Sequence, residues 1–259
     1  MIINSDDKVG REIIREKSGN IITYGIDNPA DVFAINVEEN KDGVNFVINL
    51  FDIIYGIESR FIGICNVYNI LAACTCLATF GVKMHVISLA LKRLTPISGR
   101  AEPIAEYNGG KIFLDYAHTP DAIEKIISSL KPMIKGNVYV VFGCTGDRDK
   151  LKRPIMTKYV ANNSKYFIIT NDDPHNEDPK NIVEDMIKNL EFNNYEICLD
   201  REKAIVKGIN LLKENDALFI LGKGHEEKMI VKNKAIPFND YKVVLKYLNN
   251  IDIKETIST

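Results

Sequence analysis

No two cysteines in this sequence stand at the Cys-x-x-Cys spacing of a zinc site. The five cysteines, Cys65, Cys74, Cys76, Cys144 and Cys198, form an odd set, and Cys74 and Cys76 flank Thr75 inside an apolar helical stretch. They read as small core residues in a reduced, cytoplasmic setting, with no metal site among them. No apolar run approaches the roughly 20 residues of a membrane span. The opening Met1 to Asp7 has neither a basic nor an apolar leader region, so a signal peptide is not expected. Lys and Arg total 33 against 35 Asp and Glu, a formal net charge of -2. That balance lacks the basic excess of a nucleic-acid binder, yet leaves room for a small polyanion held by a few well-placed cations. Internal repeats and low-complexity segments are missing too. So is the Gly-x-x-x-x-Gly-Lys-Ser/Thr phosphate loop.

What is there is ordinary globular material, 259 residues with 46% hydrophobic and 26% charged side chains, enough for one large domain or two moderate ones. Residues 20–26 form a β-type run. Phe33 to Val37 and Val44 to Leu50 read as a hairpin punctuated by Asp42-Gly43. Asn66 to Phe80 carries apolar residues at helical spacing and ends at Gly81, and a second helix is expected over Met84 to Leu94. Thr95 to Arg100 then breaks the pattern and divides the chain into residues 1–98 and 99–259. Beyond it strands and helices alternate. Strands are expected at 111–114, 138–142, 166–170, 195–198 and 217–221. Helices fall at 120–130, 153–161, 179–190 and 202–212. Met229–Val231 and a helix near Asp240–Leu248 close the unit. The strands are short, apolar and β-branched, which predicts an α/β fold with a Rossmann-like, doubly wound, mostly parallel sheet.

The unusual polar residues follow these strands, where open α/β sheets bind ligands. Asp115 to Pro120 follows the first, Gly143 to Asp149 the second, Asn171 to His175 the third, and Gly222 to Glu226 the last. Three of the four histidines lie in these loops, whereas His85 does not and reads as a surface or half-buried residue. Plainer readings exist. Asp115 and Asp121 are candidate caps for the helix at Pro120, and Asp172 and Asp173 a candidate Asx turn. Two adjacent carboxylates want a cation, however, so a ligand ammonium is expected near them. Gly222 and Gly224 are expected to allow close backbone approach to a substrate group. Cys144 lacks a dedicated base and reads as a small residue, not a nucleophile.

Taken in order, these loops resemble the C-terminal domain of Mur ligases of the UDP-N-acetylmuramyl-tripeptide synthetase type. The resemblance rests on Asp115-Tyr116-Ala117-His118-Thr119-Pro120, Phe142 to Asp149, Lys152-Arg153-Pro154, Asp172-Asp173-Pro174-His175 and Gly222-Lys223-Gly224-His225-Glu226. The earlier Asn66-Val67-Tyr68-Asn69 and Gly99-Arg100-Ala101-Glu102 resemble that family's adenine loop and domain hinge. Residues 1–98 are thereby expected to be the tail of a central α/β ATPase domain. The resemblance implies an ATP-dependent, Mg2+-requiring ligase of peptidoglycan precursor synthesis. It would phosphorylate the D-glutamate carboxylate of UDP-MurNAc-L-Ala-D-Glu and pass the acyl group to the amine of a diamino acid. It implies Asn66 and Asn69 against adenine, Arg100 at the phosphates, Asp115 at the ribose and His118 near the nucleotide, with Arg100 and His118 as the catalytic pair. The amino-acid pocket would be Arg153, Asp172, Asp173, His175, Gly222 and Glu226. There the carboxylates suit an ammonium and Arg153 suits a carboxylate in bidentate fashion.

Two features depart from that family's pattern. Its diaminopimelate-adding members carry Asp-Asn-Pro-Arg where this chain has Asp172-Asp173-Pro174-His175, and an imidazole cannot reproduce a guanidinium fork, so lysine or ornithine are alternatives. The family's phosphate loop, uridine-binding domain and modified lysine precede a stretch like Ile2 to Asp7, so the chain is expected to begin partway through the ATPase domain. It is expected not to ligate alone, and a separate N-terminal half is a candidate partner. Other readings are a non-catalytic module that keeps an amino-acid or nucleotide pocket, and a relative of folylpolyglutamate synthases. Membrane and nucleic-acid partners are not expected.

Overall fold

Short runs of Val, Ile and Phe bounded by turn residues become strands throughout the computed structural model, which describes residues 1–17, 19–40 and 43–258, with side chains as far as Ile251. The chain separates into two compact units, dividing between Pro96 and Ile97.

The first unit contains β1 (Ile2–Asn4), α1 (Lys8–Glu16), β2 (Ile22–Gly25), β3 (Val32–Asn40), β4 (Gly43–Leu50), β5 (Ile53–Ser59), α2 (Ile64–Thr79) and α3 (Met84–Arg93). Its sheet runs β1-β2-β3-β4-β5, parallel over the first three strands and antiparallel over the last three. The hairpin expected from the sequence is β3–β4, although Asp42 of its turn lies outside the described residues. The sequence reading missed β5. Its turn from β4 is Phe51-Asp52, both residues at positive φ (51° and 66°). That geometry normally announces itself as Asn-Gly or Asp-Gly, and here it is built from residues that send no such signal. Alternate residues Val44, Phe46 and Ile48 of β4 face Val67, Ile70, Leu71 and Cys74 of α2 and Met84, Ile87 and Leu91 of α3. Burial pushes the Cys74 thiol up to about 12, in keeping with a packing role. At the end of β1, the Asp6 carboxylate accepts N–H groups from Ile26, Asp27 and Asn28 and the Tyr68 hydroxyl. Burial alone would raise its pKa, but these hydrogen bonds outweigh burial and leave it lowered.

The second unit contains β6 (Glu102–Tyr107), β7 (Gly110–Asp115), α4 (Pro120–Leu130), β8 (Val138–Phe142), α5 (Lys152–Asn163), β9 (Tyr166–Ile169), α6 (Pro179–Ile187), β10 (Tyr195–Ile197), α7 (Arg201–Asn210), β11 (Ala217–Leu221), β12 (Lys228–Val231), β13 (Lys234–Pro237) and α8 (Asp240–Ser258). The main sheet has the order β10-β9-β8-β11-β7-β6, parallel except for β6 at one edge. Every residue of β8 and β11 is buried, as the unbroken apolar runs predict for central parallel strands. One face packs Ile112, Tyr139, Val141, Leu218 and Ile220 against Ala204, Ile205 and Ile209 of α7 and Val243 and Val244 of α8. The opposite face, with Phe113 and Phe219 edge to face at 5.4 Å, completes the doubly wound arrangement. The sequence reading also missed β6. Its Pro103 cannot donate to a ladder and sits at a bulge on an edge strand, where proline is tolerated.

One ion pair ties this unit together. The Arg201 guanidinium, at the start of α7, forks onto both oxygens of Asp240 at 2.8 Å, and neither side chain is exposed to solvent. Its two terminal nitrogens also donate to the carbonyls of Asn171 (3.1 Å) and Leu221 (3.0 Å), which follow β9 and end β11. Removing one partner strands the other charge in the interior. Asp240→Ala is therefore expected to cost about 3–5 kcal/mol, read by urea unfolding. A loss below about 1 kcal/mol would show that the pair is not what fastens these strand ends.

Candidate functional site

The loops after β7, β8, β9 and β11 meet at the carboxyl edge of the second sheet and line a cavity of about 540 Å³. Its walls include Tyr116, His118, Cys144, Arg153, Asp172, Asp173, His175, Gly222 and Glu226, so most candidates singled out in the sequence come together here. Arg100 stands beside them, its guanidinium 4.8 Å from the centre of the Tyr116 ring. Asn66 and Asn69 belong to the first unit, where they occupy one turn of α2 and the Asn69 amide donates to Asn66 Oδ1 at 3.1 Å.

The acidic wall is built differently from the expectation. The cation beside Asp172 and Asp173 belongs to the protein itself. Lys223, wholly buried, donates to Asp173 Oδ1 and Glu226 Oε2 at 2.8 Å each and lies 3.8 Å from Asp172 Oδ1. The ligand ammonium expected near the pair would therefore join a cation that the protein already supplies. The signal was present in Lys223 and Glu226 three residues apart, but the flanking glycines drew attention to close backbone approach instead. Two carboxylates remain in excess of that single cation. Burial pushes Asp172 up to about 6, Asp173 and Asp240 add to the shift, and Arg201 and Lys223 oppose it. Its Oδ2 is buried without a hydrogen-bond partner.

Gly222 makes room for that carboxylate, so the close approach it allows is first of all to the protein's own Asp172. At φ 112°, a Cβ on Gly222 would lie 2.3 Å from Asp172 Oδ2. A Cβ on Gly224 would meet Gly99 O at 2.8 Å, so this glycine too admits a neighbouring segment of the protein.

Arg153 is likewise engaged from within. It is 1% exposed, and its terminal nitrogens hold Glu177 in a fork (2.8 and 2.7 Å), Asp185 (2.9 Å) and the Thr145 carbonyl (3.3 Å). The fork expected to receive a ligand carboxylate is thus closed on Glu177, and only Nε lacks a partner. Glu177, which the sequence did not single out, also binds Lys150 at 2.9 Å and the Asp147 N–H at 3.1 Å. Its hydrogen bonds from Arg153 hold its carboxyl down at about 2.

Around Tyr116 a third group forms. Asp115 caps no helix. Its oxygens accept the backbone N–H groups of Ala101 and Ala117 at 2.7 Å each, while Thr119 caps α4 by accepting from Ala122. Burial raises the Asp115 pKa, against the pull of those two amides and of Arg100 and His118. The His118 Nδ1 lies 2.7 Å from the Tyr116 carbonyl. A carbonyl only accepts, so Nδ1 is the donor in this contact and Nε2 is left to other partners. His175 sits at φ 49°, its main chain bonded to Ile230 O and the Lys232 N–H. Cys144 is buried, and desolvation pushes its thiol up to about 12, which rules against thiolate chemistry. His85 is exposed on α3.

Comparison with known families matches residues 99–224 to the Mur ligase glutamate ligase domain and residues 1–77 to the Mur ligase middle domain. The chain belongs to the Mur ligase family. It is 37% identical over 242 residues to the UDP-N-acetylmuramoyl-L-alanyl-D-glutamate--2,6-diaminopimelate ligase of Bacillus cereus, covering 93% of this chain and 49% of that one. The Clostridium botulinum enzyme of the same name is 37% identical over 257 residues, covering 96% of this chain and 52% of its own. A solved structure of a ligase of that name aligns with a TM-score of 0.63 at 28% identity, over 97% of this chain and 53% of the other. A MurF ligase from Thermotoga maritima in complex with ADP, 18% identical with a TM-score of 0.63 over 85% of this chain and 49% of its own, shares the fold. This Mur ligase chain spans about half the length of the curated relatives it matches.

Mur ligases are nucleotide-dependent, which raises the question of a metal. Among the described residues, Asp172, Asp173 and Glu226 are the acidic trio close enough to share an ion. The Lys223 ammonium already stands among them, so the trio does not fit magnesium.

The Glu177–Arg153 pair generates a pH prediction. A carboxylate whose folded pKa is depressed from 4.5 to about 2 adds stability above pH 4.5 and loses it as pH falls towards 2. Glu177→Gln should therefore destabilise the protein clearly at pH 7, with the gap to wild type closing in acid. Urea midpoints measured from pH 7 to 2.5 check this, and a gap independent of pH would refute it.

Proposed function

We propose that this chain is the amino-acid-accepting part of an ATP-dependent ligase. The ligase would add the third, diamino acid to UDP-MurNAc-L-Ala-D-Glu through an acyl phosphate, in cytoplasmic peptidoglycan precursor synthesis. The observation that carries this reading is a pair of buried, unpartnered polar atoms of opposite kind on the walls of one cavity. Asp172 Oδ2 is an acceptor and Arg153 Nε is a donor. An α-amino acid brings the complements of both, an ammonium and a carboxylate.

In the proposed reaction, Asp172 holds the incoming ammonium, and its raised pKa makes it a better proton acceptor than an ordinary carboxylate. Asp173 and Glu226, fixed by Lys223, supply the negative field around that amine. Arg153 gives one N–H to the amino-acid carboxylate, and Gly222 leaves room for the Asp172 carboxylate in the cavity wall. His175 faces the far end of the ligand, where an imidazole suits lysine or ornithine as well as diaminopimelate. Arg100 and His118 are assigned to the phosphates, Asp115 to the ribose, and Asn66 and Asn69 to the adenine. ATP supplies the phosphoryl group that activates the acceptor carboxylate, and the Mg2+ that accompanies it has no place in the trio held by Lys223. Groups around the γ-phosphate would come from a part of the ligase beyond these 259 residues, in the same chain or a separate one. Ligation by this polypeptide alone is therefore not expected.

Calorimetric titration of the purified chain with L-lysine, L-ornithine, meso-diaminopimelate and ATP, singly and together, tests the proposal. One diamino acid should bind saturably. Asp172→Ala or Glu226→Ala should weaken it at least roughly tenfold, as expected for loss of a charge-assisted contact. Affinity should also fall as pH drops below 6, because protonated Asp172 no longer attracts an ammonium. No binding by any of them would refute the pocket. Steady phosphate release with UDP-MurNAc-dipeptide, ATP and diamino acid would refute the dependence on further residues. A second reading, a non-catalytic binding module, is favoured by the fact that the whole cavity comes from the second unit. An adjacent reading frame carrying the phosphate loop would favour the ligase instead.

A further inference from the structure

β5 ends the order of the first sheet, and among the described residues no strand pairs with its outer edge. Proteins guard such edges with lysine, proline or a bulge, because a row of free N–H and C=O groups recruits another strand. β5 has none of these guards. It pairs with β4 over seven residues without a shift of register, and its Ile53 and Ile54 are 55% and 64% exposed. Gly56, at its middle, is open: a Cβ built there would meet no atom within 4 Å. The helix packed against this strand, α3, leaves Val86 and Leu89 exposed as well.

We propose that this edge is an interface between two copies of the chain, β5 pairing antiparallel with β5 of a second copy about a twofold axis through Gly56. Charge chooses both the partner and the register. Exposed Asp52 and Arg60 flank the strand at its two ends, and among the described residues neither has an ion-pair partner, whereas Glu58 is held by Lys92 at 3.0 Å. With Gly56 opposite its own copy, Asp52 of each chain faces Arg60 of the other, so two opposite-charge contacts close the two ends of the shared ladder. A slip of two residues, with Tyr55 on the axis, would set Asp52 against Glu58 instead. A slip of one residue would lay the core face of one copy beside the solvent face of the other. The contact uses the same patch on both chains, so it closes at two copies and does not propagate.

Sedimentation equilibrium of the full chain should show a reversible monomer–dimer equilibrium. Arg60→Glu should weaken the dimer at least roughly threefold, since symmetry breaks two pairs at once, and the double variant Asp52→Lys with Arg60→Glu should restore it. Asp52→Asn, which suits the left-handed backbone at φ 66°, should weaken it in the same direction. Residues directly opposite in an antiparallel pair have Cα atoms about 4.5–5.5 Å apart, within reach of a disulfide. Gly56→Cys should therefore give a covalent dimer on mild oxidation, well above the level from the five native cysteines. Glu58→Cys, which faces Ile54 of the second copy, should give far less. A monomer at every concentration overturns the proposal. So does a dimer that ignores Arg60→Glu and does not cross-link through Gly56→Cys, because it would use another face. A chain that stays monomeric and associates only with a polypeptide carrying the rest of the ligase also overturns it, assigning the edge to a foreign strand.

Discussion

The site depends on a charge that never meets solvent. Arg201 is anchored by Asp240 and donates to the carbonyls of Asn171 and Leu221, so one guanidinium fixes the points from which two loops leave the sheet. One loop carries Asp172, Asp173 and His175, and the other carries Gly222, Lys223 and Glu226. A buried pair of this kind adds little net stability over an apolar replacement. What it adds is direction, because two backbone oxygens must lie in the plane of one planar group. Three carboxylates can then be held within reach of a single ammonium without the loops springing apart.

The same economy recurs on both sides of the cavity. Lys223 is surrounded by carboxylates, and Arg153 is closed on Glu177 and Asp185. Each charged wall is thus compensated from within and keeps one buried polar atom without a partner, an oxygen on the acidic side and an N–H on the basic side. Under the proposed function, such a site would discriminate by placement more than by total charge, since a ligand needs both an ammonium and a carboxylate to complete the two atoms.

Much of the second unit was legible because its physics is local. Unbroken apolar runs marked β8 and β11 as buried on both faces, and Pro120 marked the start of α4. The strand-end loops could be read as one site because parallel topology brings those ends together. What could not be read was who pairs with whom. Lys223 and Asp173 are 50 residues apart, Arg153 and Glu177 are 24 apart, and no spacing rule connects either pair. Without them, carboxylates look vacant and an arginine looks available. The edge strands β5 and β6 were missed for a simpler reason, since a Phe-Asp turn and a strand proline contradict the usual signals.

The bridge between residue 175 and β12 is made by main-chain groups alone: His175 N–H to Ile230 O, and Lys232 N–H to His175 O. The imidazole therefore plays no part in holding the loop, although it lines the cavity. The left-handed backbone at φ 49° filters what can stand there, accepting asparagine or glycine readily and resisting β-branched residues. Under the proposed function, scaffold and recognition are thereby separated at one codon, and a change of side chain there would alter what the cavity meets without rebuilding the sheet that presents it.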